Sequence, residues 1–211
     1  MSIQAIFLGA PGSGKGTQAK NLVMDLNFNH VSTGDLLRAE VEKATDLGKR
    51  VSDIMSRGAL VSDEIVLELL KNNCDLSNGA YIFDGFPRTI DQAKALDEVV
   101  LKDFPSKAIY FDISLDVLKE RLVNRRTCGD CGAIYNLVYK SPKTDGKCDL
   151  CDGPLVHRKD DTEEAVGNRL NVFKETIDPI LEYYEQKQRL IRVDAGLKPA
   201  EILEKVKVAL E

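Results

Sequence analysis

The sequence lacks any run of about eighteen or more apolar residues, the length that a membrane-spanning helix requires. Its first residues, MSIQAIFLGA, have neither the basic start nor the cleavage site of a secretory signal peptide. Positive charge is also scarce, because 29 Lys and Arg stand against 34 Asp and Glu, a net charge of -5. We therefore predict a cytoplasmic protein without general affinity for nucleic acid or membrane. Any anionic ligand must be held by local cations.

The chain has 211 residues, of which 43% are hydrophobic and 30% charged, a balance typical of a soluble globular protein. This length suits one core domain that carries small inserted modules. Histidine is rare, and we interpret His30 and His157 as structural or surface residues without a catalytic role. No internal repeat or low-complexity segment is present.

Short apolar runs alternate with helical patterns along most of the chain. The runs predict buried strands at 3–8, 80–84, 108–113 and 190–195, with a weaker one at 30–33. Helical spacing predicts helices at 15–26, 35–43, 46–57, 62–73, 89–102, 114–126, 161–187 and 199–210. This alternation predicts an α/β fold, with a parallel sheet covered by helices on both faces.

Two segments do not fit the alternation and are predicted to be insertions. The first insertion, residues 32–61, is entirely helical in pattern and contributes no clear strand. The cysteine module, residues 127–161, is rich in Gly, Pro, Asp and Cys and has only AIYNLVY as strand-like sequence. The core domain is then formed by residues 1–31, 62–126 and 162–211.

The segment GAPGSGKGTQ, residues 9–18, lies between a predicted strand and a predicted helix. Such a loop directs backbone N–H groups and the positive end of the helix at one point, which suits a polyphosphate. Agreement of strand, spacing and helix disfavours a chance glycine-rich turn. The predicted phosphate-binding residues are Gly12, Ser13, Gly14, Lys15, Gly16 and Thr17.

This loop departs from the usual motif, in which a Ser or Thr that ligates magnesium follows the lysine directly. Here Gly16 follows Lys15, and the hydroxyl comes one residue later at Thr17. Magnesium must then be held mainly by nucleotide phosphates and water, with an acidic side chain in its outer shell. Asp84, at the end of a predicted strand, is the first candidate, and Asp35 is a weaker one.

Four of the five cysteines form two C-x-x-C pairs, separated by sixteen residues. Cys128, Cys131, Cys148 and Cys151 have the spacing of a closed structural zinc site, which would stabilise the module without doing chemistry. A disulfide pair is disfavoured in a reducing compartment. The rival interpretation is a nucleic-acid-binding zinc ribbon, which the negative charges of Asp130, Asp145, Asp149 and Asp152 disfavour. We interpret Cys74, which stands alone, as a structural or incidental thiol.

Taken together, GAPGSGKGTQ, STGDLLR and DGFPRT resemble the adenylate kinases, within the nucleoside monophosphate kinase family. The match runs over nearly the whole chain, and lysine followed by Gly-Thr is itself typical of that family. The resemblance implies a three-layer P-loop fold with an AMP-binding first insertion and a zinc-bearing lid. It also implies a monomer that transfers the terminal phosphoryl group of ATP to AMP, with magnesium, giving two ADP.

The resemblance further implies roles for single residues. Arg38 and Arg88 would bind the acceptor phosphate, and Arg125, Arg158 and Arg169 would clamp the phosphates during transfer, the last two also reaching AMP. Arg121 would stack on the donor adenine, near Tyr135 and Asn136. The acceptor base would meet Thr33, Leu60, Val61, Gly85 and Gln92. Asp160 and Asp161 would pair with basic residues on lid closure or cap the following helix.

Three alternatives remain open at this point. A uridylate or cytidylate kinase, or an adenylate kinase that uses GTP, would share most motifs, although Thr33 within STGDLLR favours AMP. A P-loop switch or GTPase should carry Asn-Lys-x-Asp, which the sequence lacks. A zinc-ribbon protein should bind nucleic acid with strong salt dependence.

Overall fold

The computed structural model describes residues 2–211 and contains a five-stranded parallel sheet. Its strands are β1 (Gln4–Gly9), β2 (Asn29–Ser32), β3 (Tyr81–Asp84), β4 (Ser106–Asp112) and β8 (Leu190–Asp194). They lie in the order β2-β3-β1-β4-β8 and every neighbouring pair is parallel. The predicted parallel α/β fold is confirmed, including the weakly indicated strand near residue 30.

Residues 2–211 form eight α-helices. They are α1 (Lys15–Leu26), α2 (Thr33–Glu42), α3 (Asp46–Ser56), α4 (Asp63–Asn73), α5 (Ile90–Ala95), α6 (Leu118–Val123), α7 (Glu163–Gln186) and α8 (Pro199–Leu210). None of the helices within residues 2–211 is both long and apolar enough to cross a bilayer.

The buried side chains of the central strand β1 alternate between the two faces of the sheet. Ala5 and Phe7 join a core with α1 and α8, whereas Ile6 and Leu8 join a core with α2, α4 and α7. Both faces are therefore covered, which is why the strand has a continuous apolar sequence. This three-layer arrangement places the carboxyl ends of all five strands at one edge, where the loops converge.

The cysteine module is built on a small antiparallel sheet of order β6-β5-β7. Its strands are β5 (Arg125–Cys128), β6 (Ile134–Asn136) and β7 (Leu155–Val156). The predicted helix 114–126 is wrong at both ends, because α6 follows a 3₁₀ turn and stops at Val123. The chain leaves the helix there because Arg125 pairs with Asn136 of a strand that is distant in sequence.

Two other predicted helices also differ in their limits. The predicted helix 89–102 is α5 followed by one π-helical turn, Leu96–Val100. The long helix α7 begins at Glu163, and its N-cap is Thr162, whose hydroxyl accepts a hydrogen bond from the Ala165 N–H at 3.3 Å. Asp160 and Asp161 precede that cap in a 3₁₀ turn and do not cap the helix themselves.

Candidate active site

The phosphate-loop segment connects β1 to α1 at the carboxyl edge of the parallel sheet. Gly14 ends the loop in a left-handed conformation (φ 96°), and α1 begins at Lys15. The Lys15 ammonium folds back over the loop and donates to the carbonyl oxygens of Gly9 at 2.7 Å and Ala10 at 2.9 Å. Lys15 therefore stands at the positive end of α1, where an anion would be stabilised.

Lys15 holds its charge at an energetic cost. Removal from water, together with the charges of nearby arginines, lowers the pKa of its ammonium to about 8, and the charge of Asp84 partly offsets this lowering. A bound polyphosphate would favour the charged ammonium and raise this pKa. The surroundings of the Lys15 ammonium therefore favour the binding of an anion.

Asp84 ends strand β3 and faces the same loop. Its Oδ2 lies 3.4 Å from His30 Nε2 and 3.5 Å from the position that a Cβ atom on Gly16 would take. Burial by itself would raise the pKa of Asp84, but the hydrogen bond from His30 and the charge of Lys15 outweigh it and lower the pKa. An ionised carboxylate beside the phosphate loop is the kind of oxygen group that magnesium binds, directly or through water. Sequence reasoning missed the His30 contact, because β2 was only weakly indicated.

Two arginines are held by one fully buried carboxylate. Arg125 donates to Asp161 through Nε at 2.7 Å and Nη2 at 2.5 Å, and Arg169 Nη1 donates to Asp161 Oδ1 at 3.0 Å. The Asp161 side chain has no exposed surface. Such a forked pair fixes both guanidinium groups in orientation, leaving other N–H groups free for phosphate oxygens.

The first insertion contacts the cysteine module through charged groups. Arg38 pairs with Asp35 at 2.5 Å and with Asp160 at 3.5 Å, and Arg158 lies 3.8 Å from Asp35. Arg158 also donates to the Thr127 hydroxyl at 2.9 Å. The first insertion and the cysteine module are therefore in contact with each other.

A glycine controls how closely the first insertion approaches α7. Gly58 follows α3 in the left-handed conformation (φ +70°), where side chains are disfavoured. A Cβ atom at this position would come within 2.5 Å of the Ala165 carbonyl oxygen and 2.7 Å of Arg169 Cγ. The absence of a side chain allows the end of α3 to rest directly on the helix that carries Arg169.

One corner of the cleft is organised around Gly85. The Thr33 hydroxyl and Arg88 Nε both donate to the Gly85 carbonyl, at 2.9 and 2.7 Å. Gln92 is almost completely buried, accepts from the Arg88 N–H at 2.7 Å and donates to Asp63 at 2.6 Å. Its amide retains one N–H and one lone pair, which leaves it able to bind the edge of a base.

The opposite end of the cleft is bordered by Arg121 and the cysteine module. Tyr135 lines the cleft but is 3% exposed, and its hydroxyl accepts from the Asp149 N–H at 2.7 Å and lies 3.5 Å from Cys148 Sγ. That hydroxyl is therefore engaged with the cysteine module. Only the ring of Tyr135 is available to a ligand.

All of the predicted nucleotide-site residues line one cleft, whose volume is about 530 Å³. They comprise Gly12, Ser13, Gly14, Lys15, Gly16, Thr17, Thr33, Arg38, Leu60, Val61, Asp84, Gly85, Arg88, Gln92, Arg121, Arg125, Tyr135, Asn136, Arg158 and Arg169. The cleft is large enough for small-molecule ligands, and its lining includes Lys15 and several arginines.

The four paired cysteines come together as one group whose sulfur atoms lie within 4.8 Å of one another. The closest pairs are Cys128 with Cys151 at 3.5 Å and Cys131 with Cys148 at 3.6 Å, and no disulfide joins them. A tetrahedral Zn–S₄ site with bonds of about 2.3 Å needs sulfur separations of about 3.8 Å, so the geometry fits. The nearby Tyr135 hydroxyl lowers the pKa of Cys148 to about 6, favouring the thiolate that binds metals.

Cys74 lies apart from this group at the end of α4. Its side chain is partly buried, and burial raises the pKa of its thiol to about 11. A thiol with this pKa is not reactive near neutral pH.

Replacing Asp161 with asparagine is expected to destabilise the protein by about 3–5 kcal/mol, because Arg125 loses the carboxylate that it pairs with and Arg169 keeps only its pair with Asp160 at 3.1 Å. Urea unfolding measures this free energy. Asp46→Asn is the matched control, since Asp46 is fully exposed and pairs only with the surface residue Lys49. Equal stability of the two variants would contradict the role assigned to Asp161.

Comparison with known proteins gives the same family throughout. The family model described as adenylate kinase matches residues 7–189. The protein named adenylate kinase from Thermosipho africanus is 44% identical over 207 residues, covering 95% of this chain and 96% of its own length. Those from Methanocella arvoryzae and Nitrosococcus oceani are 44% and 45% identical, covering 99% and 91% of this chain and 98% and 91% of their own lengths. Because the family model spans most of the chain and these relatives match nearly its full length, the chain belongs to the adenylate kinase family.

Proposed function

We propose that this protein transfers the terminal phosphoryl group of ATP reversibly to AMP, giving two ADP, by direct in-line transfer. The observation that carries the proposal is the convergence of Lys15 with arginines from the core, the first insertion and the cysteine module on one cleft. Charge on a transferring phosphoryl group is spread over three equatorial oxygens, and cations from several directions suit it.

The cleft divides naturally into a donor side and an acceptor side. On the donor side we place the phosphate loop, Arg121 and the cysteine module, and on the acceptor side the first insertion with the Gly85 corner. AMP would then be bound by Thr33, Arg38, Leu60, Val61, Gly85, Arg88 and Gln92. Arg125, Arg158 and Arg169 stand between the two sides, where the phosphoryl group would pass.

The proposed reaction needs no general base. The acceptor phosphate has a second pKa near ~6 and is already largely a dianion at neutral pH, so that its own oxygen attacks. What the protein supplies is alignment and positive charge, and forked guanidinium groups give both. Magnesium bound with ATP neutralises charge on the phosphates, and Asp84 would hold its outer water shell.

Exclusion of water is the second requirement, because water is a competing acceptor. We assign the core to residues 1–31, 62–126 and 162–211, the AMP-binding insertion to 32–61 and the lid to 127–161. Contacts that close the cleft support this division, since Lys20 of α1 donates to the Gly132 carbonyl of the lid. Ile134 of the lid would also lie 3.8 Å from a Cβ atom on Gly16.

We further propose that the cysteine group binds zinc, since four thiolates at this spacing fit a closed tetrahedral site. Such a site has no open position, so the metal would stabilise the lid only. We expect a cytoplasmic monomer that does not bind nucleic acid. The net charge of -5 supports the last point.

The test is ADP formation by the purified protein with Mg·ATP and AMP, UMP, CMP or GMP, repeated with GTP as donor. We expect strong turnover with AMP alone, because Gln92 and Thr33 frame the acceptor pocket. Preference for UMP or CMP would contradict the acceptor assignment while keeping the reaction type. Absence of turnover with every pair would overturn the proposed function.

A further inference from the structure

The end of α6 and a turn of the lid, residues 136–140, are joined by a set of hydrogen bonds. Asn136 Nδ2 donates to the Arg121 carbonyl at 2.8 Å, and the Leu137 N–H donates to the Asn124 carbonyl at 3.0 Å. The Tyr139 hydroxyl donates to Glu120 Oε2 at 2.7 Å. These bonds fix the turn against the segment that carries Arg121.

The Asn136 side chain is committed to the protein backbone. Its Oδ1 accepts from the N–H groups of Val138 at 2.9 Å and Tyr139 at 3.1 Å, while its Nδ2 donates to residue 121. Both lone pairs of Oδ1 are thereby used. Asn136 shapes the turn and orients the end of α6, and it has little capacity left to recognise a base directly.

Tyr139 supports the Arg121 side chain. The Arg121 Cζ lies 5.8 Å from the centroid of the Tyr139 ring, within the range of a cation–π contact. The Tyr139 side chain is nevertheless one of the more exposed large apolar groups, with 58% of its surface accessible, so it contributes little to the core. Its two contacts, with Glu120 and Arg121, both act on the wall of the cleft where Arg121 lies.

We propose that Asn136 and Tyr139 are positioning residues for the donor base. They hold the Arg121 guanidinium as a flat surface, so that the purine ring of a nucleoside triphosphate can stack on it. This inference rests on the proposed function, which places the donor base at Arg121. Both residues also line the cleft, but the effect that we assign to them is transmitted through Arg121.

The experiment compares Tyr139→Leu, Tyr139→Phe and the wild-type protein in KM for ATP, KM for AMP, kcat and Tm. The leucine variant should raise the KM for ATP by about threefold to tenfold, as expected for loss of a cation–π contact, with KM for AMP and Tm unchanged. The phenylalanine variant keeps the ring and should restore most of the wild-type KM. An equal rise in both KM values, or a lower Tm that accounts for the loss, would overturn the inference. Val138→Ala is the matched control from the same turn.

Asn136 is tested by two variants. Asn136→Ala should raise the KM for ATP in the same way as Tyr139→Leu. Asn136→Asp retains the acceptor for the two turn N–H groups but cannot donate to the Arg121 carbonyl, so we expect it to fail to rescue. Full rescue by aspartate would overturn the role given to the bond between Asn136 and residue 121.

A double-mutant cycle separates this inference from the proposed function. Arg121→Leu should raise the KM for ATP, and adding Tyr139→Leu should cause no further rise, because both act through one surface. If Arg121→Leu leaves this KM unchanged, the donor-base assignment fails. If Arg121→Leu raises it while Tyr139→Leu does not, the assignment stands and the positioning inference fails.

Discussion

Replacing Lys15 with methionine is expected to lower kcat by about two to three orders of magnitude, the usual cost of removing one charge-stabilising group from a transition state. Lys15 stands over the loop carbonyls at the start of α1, where the transferring phosphate would lie. Methionine retains most of the volume but has no charge. Initial rates at saturating Mg·ATP and AMP give the change in kcat.

The same variant should keep its fold. Lys15 contributes three hydrogen bonds to the loop, one of them long at 3.5 Å, but its charge is costly to bury, as the lowered pKa shows. We therefore expect a Tm close to that of the wild-type protein. Lys49→Met is the matched control, because Lys49 is exposed and pairs only with Asp46 at 3.5 Å. Near-normal turnover in a folded Lys15→Met protein would refute the assignment.

Removal of zinc is expected to have the second large effect, this time on the lid. The lid has a small core of its own, consisting of Cys128, Tyr135 and Cys148 with Ala133 and Leu155 packed against them. Burial of so little apolar surface does not offset the conformational entropy that the lid loses when it folds. In the zinc proposal, the free energy of metal binding supplies the difference. We predict that Cys148→Ser, or a strong chelator, lowers the Tm by about 10 °C or more, at about 2–4 °C per kcal/mol for a chain of this size.

Metal analysis and thermal unfolding measure this effect together. The wild-type protein should bind one zinc ion and lose stability on chelation, whereas Cys148→Ser should neither bind zinc nor respond to chelator. Cys74→Ser is the control, because Cys74 lies outside the cysteine group. A wild-type protein that is purified without metal and has the same Tm with and without chelator would contradict the zinc proposal. Turnover should fall with the Tm, since a disordered lid admits water.

The phosphate loop and the cysteine module could be predicted from sequence because their signals are local. A strand, a glycine-rich loop and a helix follow one another within the first 26 residues, and the spacing of the paired cysteines indicates a metal site. The arginines were different. Nothing in the local sequence of Arg88 or Arg169 separates them from surface arginines, and only the family resemblance indicated that they meet.

What sequence reasoning missed depends on contacts between distant segments. The end of α6 at Val123 is set by strand pairing across the lid, which no helical pattern encodes. Asp161 is completely buried because Arg125 of β5 and Arg169 of α7 both pair with it. His30 acquires its place beside Asp84 only because β2 and β3 are neighbours in the sheet.

The close approach at Gly58 means that the size of residue 58 limits how near the first insertion can come to α7. The first insertion rests on α7 through bare backbone, so even a methyl group at this position would act as a wedge between them. Residue 58 does not bind phosphate in the proposed mechanism, yet its size would set the balance between open and closed populations. Ligand affinity would then vary with the fraction of molecules that can close. Because the same Cβ atom would press on Arg169 Cγ, a side chain at residue 58 would also displace a guanidinium group that we assign to the phosphates. Closure and the placement of Arg169 are thus coupled at a single backbone position.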